Sequence, residues 1–412
     1  MECQNLTPFD ALAYSALDAH DEEHHVLALK AAYRLVPGDG GEATHRCELL
    51  PDDGAGRLLL RDAFEGEANA SSVRAESDLA PFKPRCDVLV RATAWAPGEE
   101  PAERWTARLR VTGRGAPPPG GDAGGGEPPR RALVDKTLEV CGPRWFERAA
   151  EGWQLTRPEP AASVPVRWER AFGGRSLVRA APGRAPLLDE VCFTNPVGCG
   201  WMEARTLDAL RDAGAPAPDR VAAPQIERPD SRVTRLAVAS HPPHAVEAPQ
   251  MAEIAADYPF APAGLGCVGR AWTPRLQRAG TYGEAWVAGR HPFLPDDFSF
   301  AYWNAAPDDQ QIPHPDVGLR VELWNLARPG LACDGRVAFE LPPHRAFAMA
   351  WIAGLPVPVP AALDTLSVDA ESMVVTCVWR ALVARALGVR RMEARFEVDP
   401  RAPLLKMAVG RG

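Results

Sequence analysis

The residues best equipped for chemistry lie in one stretch, HPFLPDDFSFAYWNAAPDDQQ, from His291 to Gln311. It gathers four aspartates, a histidine, an asparagine and two glutamines around an aromatic run, the raw material of an acid–base site. Pro-Asp-Asp occurs twice, at 295–297 and 307–309. Proline presets one turn dihedral and aspartate closes turns through backbone hydrogen bonds, so both units also read as turns. Between them Phe298, Phe300 and Tyr302 alternate with Ser299, Ala301 and Trp303, which predicts a strand. A strand rises roughly 3.3 Å per residue, which would hold the two acid pairs roughly 20 Å apart. Glycosidase carboxylates act at roughly 5–9.5 Å, so these acids would need a partner from elsewhere, such as Asp297 or Asp308 with Glu169.

Other clusters carry less. HDEEHH (20–25) has metal-ligand residue types, but it runs into a strand expected to start near Val26 and reads as a charged turn. In HPPH (241–244) the prolines favour an extended loop that need not bring the histidines together. ERAFGGR (169–175) could cradle an anion on backbone N–H groups, but its glycines read first as a turn needing positive φ. NPVGCGWM (195–202) has a GxG without a strand–helix frame and also reads as a turn. No GxSxG, HExxH or P-loop occurs, and no Rossmann GxGxxG follows a strand pattern. The expectation is no catalytic residue, no cofactor and no metal.

The elements that must position these loops are mainly strands. In RWTARLRV, Trp105, Ala107, Leu109 and Val111 fall on one face; in LALKAAYRL, Leu27, Leu29, Ala31, Tyr33 and Leu35 do so. VGLRVEL and RVAFEL alternate likewise, and each run predicts a half-buried antiparallel strand. DTLSVDAESMVVTCVWRA predicts a hairpin turning at Asp369–Ser372. Helix signals are confined to EARTLDALRDAG, stopped by Gly214, and to ALVARALGVRRM (381–392). The expected fold is mainly β: antiparallel sandwich- or barrel-like sheets, long Gly/Pro-rich loops and a few short helices. The 412 residues suit two or three domains. The softer segment 157–163 would divide an N-terminal β domain (1–156) from a C-terminal β-rich one (164–412), or the two would form one intertwined unit. The segment 113–131, flanked by strand patterns, reads as a flexible insertion within a hairpin.

Composition narrows the function. Glycine and proline number 35 and 42, which fits a loop-rich β protein. The net charge of −8 gives no basic footprint for nucleic acid. No stretch is long and apolar enough for membrane insertion. The N-terminus lacks a signal-peptide pattern, and nine cysteines without a CxxC pair read as reduced, buried thiols, so a cytoplasmic location is expected. Arginines outnumber lysines 42 to four. Tryptophans beside Gly/Pro motifs (Trp145, Trp168, Trp201, Trp272, Trp286, Trp303) serve equally as core packing or as interface anchors.

Seven phrases in order, SDLAPFKPRCDVLV (77–90), VCGPRW (140–145), ERAFGG (169–174), NPVGCG (195–200), GTYGEAWVAGRHPFLPDDF (280–298), NAAPDDQQ (304–311) and DTLSVDAESMVVTCVWRA (364–381), resemble a bacterial family of otherwise uncharacterised domains. Its members are found among type VI secretion genes and are regarded as adaptors or chaperones. They help load a toxic effector and its PAAR-like domain onto the VgrG spike. The resemblance implies a non-enzymatic adaptor whose partners are an effector or its PAAR-like domain, and VgrG. Partner contacts are expected on the loops: Arg170, Asn195, Trp272, Tyr282, Trp286, Arg290, Asp296, Asp297, Asn304, Asp308 and Gln310. Two departures bear on that reading. The family pattern has an acid where Pro143 stands and usually an aspartate where Gly283 stands. The alternatives are a hydrolase using carboxylates from separate loops and a structural part of the secretion particle.

Overall fold

The strand Glu23–Pro37 is the middle of the molecule. In the computed structural model, which describes residues 1–38, 43–51, 54–114, 130–179, 185–234, 260–315 and 318–405, every residue from 26 to 33 is buried. The half-buried strand expected there is instead covered on both faces. Its odd residues Leu27, Leu29, Ala31, Tyr33 and Leu35 enter the main core. Its even face carries Lys30, which is buried because Asp78 supplies a carboxylate at 3.0 Å.

Both edges of this strand are paired. Asp10–Leu17 and then His45–Leu50 lie along one edge, and Val374–Ala384 along the other, all antiparallel. The sheet continues through Ala362–Asp369 and Cys86–Arg91, which run parallel to each other, to the short Gln311–Ile312. A five-stranded antiparallel sheet follows the order Ile226–Glu227, Arg130–Cys141, Arg104–Arg114, Arg320–Trp324, Arg336–Glu340. A four-stranded sheet follows Glu2–Asn5, Arg391–Glu397, Arg345–Ile352, Leu355–Pro360. Leu29 and Tyr33 from the first sheet, Leu109 and Val321 from the second, and Ala348 and Met392 from the third share one buried apolar cluster. Each sheet ends in two open edges, so the packing is sandwich-like and no barrel closes among the described residues. Strands from both sides of 157–163 pair in the two largest sheets. A smaller cluster of Phe146, Trp153, Phe172 and Trp201 supports the three-stranded sheet of residues 145–149, 152–155 and 220–222.

The hairpin at 369–372 forms as expected, with Asp369 accepting the N–H groups of Glu371 and Ser372. The helix Thr206–Asp212 forms too, and Gly214 follows it at φ +66°. The second helical expectation, 381–392, is overturned. Val374–Ala384 runs as a strand, Arg385–Leu387 makes one 3₁₀ turn, Gly388 takes a left-handed conformation, and Arg391–Glu397 begins the next strand. Ala381 and Val383 alternate inward with Leu382 and Ala384, and the length of Glu23–Pro37 gives this segment a full ladder. The insertion at 113–131 does sit in a hairpin: Arg114 pairs with Arg130, while 115–129, like HPPH at 241–244, lies outside the described residues.

All nine cysteines are free. Five are buried, and burial pushes the Cys267 thiol to about 12; Cys3 and Cys333 are exposed, against the expectation. HDEEHH forms a turn on the Asp18 carboxylate, which accepts the N–H groups of His20 and Glu22, and the strand starts at Glu23. Among the described residues no group of three His, Cys, Asp or Glu could hold a metal ion.

Burial gives four histidines a role in stability. His25, His45, His314 and His344 are held below the ordinary histidine range, chiefly because burial disfavours the charged ring. As pH falls, the unfolded chain takes up protons at these sites before the folded chain does. Their contribution is therefore intact above the ordinary value of about 6.5 and is lost below it. The urea midpoint is expected to fall between about pH 7.5 and about pH 5.5. A midpoint that rises on acidification over that window would contradict this assignment.

Candidate functional site

The segment 260–311 lies over the strand Cys86–Arg91 and is fixed there by one buried carboxylate. Asp87, fully buried, accepts hydrogen bonds from Lys83 Nζ at 2.8 Å, Asn304 Nδ2 at 3.0 Å, Ala305 N at 2.9 Å and Ala306 N at 3.2 Å. Lys83 also donates to Thr365 Oγ1, so the cluster ties Ala362–Asp369 to NAAPDDQQ. Gln310 donates to Val88 O and Leu265 O and accepts from Lys136 Nζ. Lys136 also pairs with Asp309 at 2.8 Å, and burial holds its pKa below the usual lysine range. Farther along, the buried Arg275 holds Glu76, donates to Tyr302 O and Val268 O, and lies over the Tyr302 ring.

This arrangement corrects part of the expected contact set. Asn304 and Gln310 are buried and committed to backbone and side-chain partners. Asn195 is buried, with its amide donating to Trp168 O and Phe172 O. Trp272 is buried edge-on against Trp168, ring centres 5.8 Å apart. These four hold the fold and present no surface to a partner. Arg170 is exposed and donates to Gln225 Oε1. Gly173, Gly174 and Gly200 take the positive φ expected of them, +146°, +141° and +89°, but Phe172–Gly173 and Cys199–Gly200 form a short parallel strand pair, and the turn is confined to Asn195–Gly198.

The expected strand at 298–303 is a 3₁₀ turn, Phe300–Trp303. Among the described residues no strand pairs with it. Tyr302 N donates to Ser299 O, and Phe298 packs edge-on against Phe300 and Tyr302. A 3₁₀ turn rises only about 2.0 Å per residue, so the strand-length separation of the acid pairs does not hold. Both Pro-Asp-Asp units do form turns, with Phe298 N donating to Pro295 O and Gln310 N to Pro307 O. Each acid has its own partner. Asp297 accepts from Thr281 Oγ1 and Thr281 N, which hold its carboxyl below the usual range. Asp308 pairs with Arg278 at 2.7 Å and Asp296 with Arg290 at 2.8 Å. Glu169 accepts from Ser72 N and Ser72 Oγ.

What remains exposed is a small knob, residues 280–298. It contains the helix Glu284–Gly289. Tyr282, Val287 and Phe293 are 54%, 65% and 40% exposed. Trp286 sits among them, edge-on to Tyr282 and His291, with its indole N–H donating to Phe293 O at 2.8 Å. Arg290 braces the base by donating to Leu294 O and pairing with Asp296 and Asp21. The knob therefore brings together Tyr282, Trp286, Arg290, Asp296 and Asp297, with Asp308 beneath on Arg278. Val287 and Phe293 were missed as site residues. The signal for Val287 was a helix of about one turn and a half with apolar residues and no amphipathic stripe; Phe293 lies beyond that helix.

Gly283 is the residue before this helix; its φ is −105° and a Cβ there meets nothing within 4 Å. That is the N-cap position, where an aspartate accepts from the first free N–H groups. Gly283→Asp is expected to raise stability by a few tenths of a kcal/mol. A raised melting temperature would support the cap; a lowered one would reject it.

A cavity of about 460 Å³ lies between the even face of the largest sheet and residues 54–79, lined by Leu59, Val73, Leu89, Trp168 and Val374. The volume is in the range of small-molecule sites. Several charges on its wall are paired, Lys30 with Asp78, Lys83 with Asp87, and Arg91 and Arg167 with Glu65, while Arg57 and Arg74 also line it.

The fold and this surface define a sandwich-like β protein with a braced apolar knob. The chain belongs to a family described as an uncharacterized protein conserved in bacteria (DUF2169), whose model matches residues 20–380. No curated protein and no solved structure matches it. No helix among the described residues is long and apolar enough to cross a membrane.

Proposed function

We propose that this protein is a non-enzymatic adaptor that docks a protein partner on the 280–298 knob. One observation carries the reading: Tyr282, Val287 and Phe293 are exposed together on a unit whose polar residues are used to stiffen it. Rigid aromatic anchors lose little entropy on binding and are what interface hot spots use. Following the resemblance of the ordered phrases, the partner is an effector toxin or its PAAR-like domain, loaded onto VgrG in the cytoplasm of a cell with a type VI secretion system.

The test is co-purification with the neighbouring effector. Val287→Asp with Phe293→Asp is expected to weaken capture by about 2 kcal/mol or more, roughly thirtyfold, without changing the melting temperature. An effector that never co-purifies with the unmutated protein, and is secreted normally without it, would sink the adaptor reading. The hydrolase reading has less support, since Asp297, Asp308 and Glu169 each serve a different structural partner. A structural part of the particle would appear at fixed stoichiometry in purified sheath–tube assemblies, whereas an adaptor would not.

A further inference from the structure

Asp10–Leu17 forms one edge of the seven-stranded sheet. In an antiparallel pair only every second residue bonds a given neighbour. Two hydrogen bonds fix that alternation on Glu23–Pro37. Leu35 N donates to Met373 O on one side, and Gly38 N donates to Thr44 O on the other. Even residues of the central strand therefore face Asp10–Leu17. The register places Asp10, Leu12, Tyr14 and Ala16 opposite Lys30, Ala28, Val26 and His24, so these four bond inward. Ala11, Ala13, Ser15 and Leu17 point their N–H and C=O groups outward, and among the described residues no strand pairs with them.

The other strands that end the three large sheets are short, covered or blocked. In Leu355–Pro360, Ala361 N donates to Ala346 O, so Val357 and Val359 face the neighbouring strand. Pro356, Pro358 and Pro360 then occupy every outward position and have no N–H to offer, a common protection of exposed edges. Arg336–Glu340 is covered by Thr44, whose hydroxyl accepts from Ala338 N at 2.9 Å. Ile226–Glu227 and Gln311–Ile312 have two residues each, and Glu2–Asn5 has four. Asp10–Leu17, the longest strand at the end of a large sheet, carries no proline and no charged residue at its outward-bonding positions.

We propose that Asp10–Leu17 accepts an extended segment of a partner protein as an added strand. Ala11 and Ala13 pack on the main core, and their small side chains leave room for large apolar side chains alternating along the incoming strand. Asp18 and Glu22 at the following turn favour a basic residue at that end of the segment. A second copy is an outcome of the test: antiparallel self-pairing centred on Tyr14 would set Asp10 of each copy opposite Asp18 of the other, and opposed like charges destabilise a ladder, whereas self-pairing centred on Ala13 would set Asp10 opposite Ala16. The inference rests on the reading that this protein binds a protein partner. The edge is continuous with the knob, because Arg290 pairs with Asp21 in the turn that ends the strand.

Amide exchange on the full chain tests it, with an end-blocked peptide of alternating valine and threonine, closed by two lysines, as the probe. In the free protein the Ala11, Ala13, Ser15 and Leu17 amides should exchange fast, and those of Leu12, Tyr14 and Ala16 slowly. The peptide should slow the outward amides roughly tenfold or more. Ala13→Pro removes one outward donor while leaving the inward ladder whole, and should abolish that protection at an unchanged urea midpoint. Ser15→Pro serves if Ala13→Pro lowers the midpoint. Outward amides already slow in the free protein, protection that grows with protein concentration alone, or no protection by the peptide would each overturn the proposal. The peptide readout does not use the effector, so failed effector capture with peptide protection intact overturns the adaptor reading alone.

Discussion

Asp87→Ala is expected to cost about 3–5 kcal/mol of folding stability, the range for breaking a buried ion pair by removing one partner. The carboxylate is fully buried and accepts four hydrogen bonds, two from backbone N–H groups of Ala305 and Ala306. Without it the buried Lys83 ammonium keeps only the Thr365 hydroxyl, and the two N–H groups lose their acceptor. Whole-domain stabilities are about 5–15 kcal/mol, so the loss is a large fraction of the total. Urea unfolding measures it directly. Asp87→Leu with Lys83→Met, which removes both charges, should recover part of the loss. A single alanine variant with an unchanged midpoint would show that Asp87 does not anchor the 260–311 segment. Effector capture by the variant should fall only in step with unfolding, because no atom of Asp87 reaches the surface.

The contrast between what was and was not legible follows from where each residue's partner lies. Trp105, Leu109 and Val111 announced their strand because alternation is local. The hairpin at 369–372 was legible for the same reason, since its turn is closed by Asp369 within three residues. Lys30 marked a solvent face in the sequence, yet it is buried by Asp78, which lies 48 residues away. Phe298, Phe300 and Tyr302 alternate like a strand, but a strand needs a neighbour, and Asn304 and Gln310 draw this segment onto Cys86–Arg91 through side chains instead. The candidate site divides the same way. Asp296, Asp297 and Asp308 were legible as turn acids, while the burial of Asn195, Trp272, Asn304 and Gln310 depends on contacts no spacing rule carries.

Gly173→Ala should be comparably severe, about 4 kcal/mol or more, at the exceptional end of single substitutions. The residue has φ of +146°, and a Cβ there would stand 2.1 Å from Asn195 O and 2.7 Å from Asn195 Cβ. Backbone cannot move aside as a long side chain can. Asn195 is itself fixed, with its amide donating to Trp168 O and Phe172 O and its carbonyl accepting from Gly174 N. Phe172–Gly173 then pairs in parallel with Cys199–Gly200, so ERAFGG and NPVGCG are one structural unit although 20 residues lie between Gly174 and Asn195. Gly98→Ala is the control: its φ is also positive, +74°, but nothing lies within 4 Å of a Cβ, so only the left-handed conformation is penalised, by about 1 kcal/mol. If the two alanine variants melted alike, the positive φ alone would account for Gly173, and the close approach of Asn195 would carry no weight.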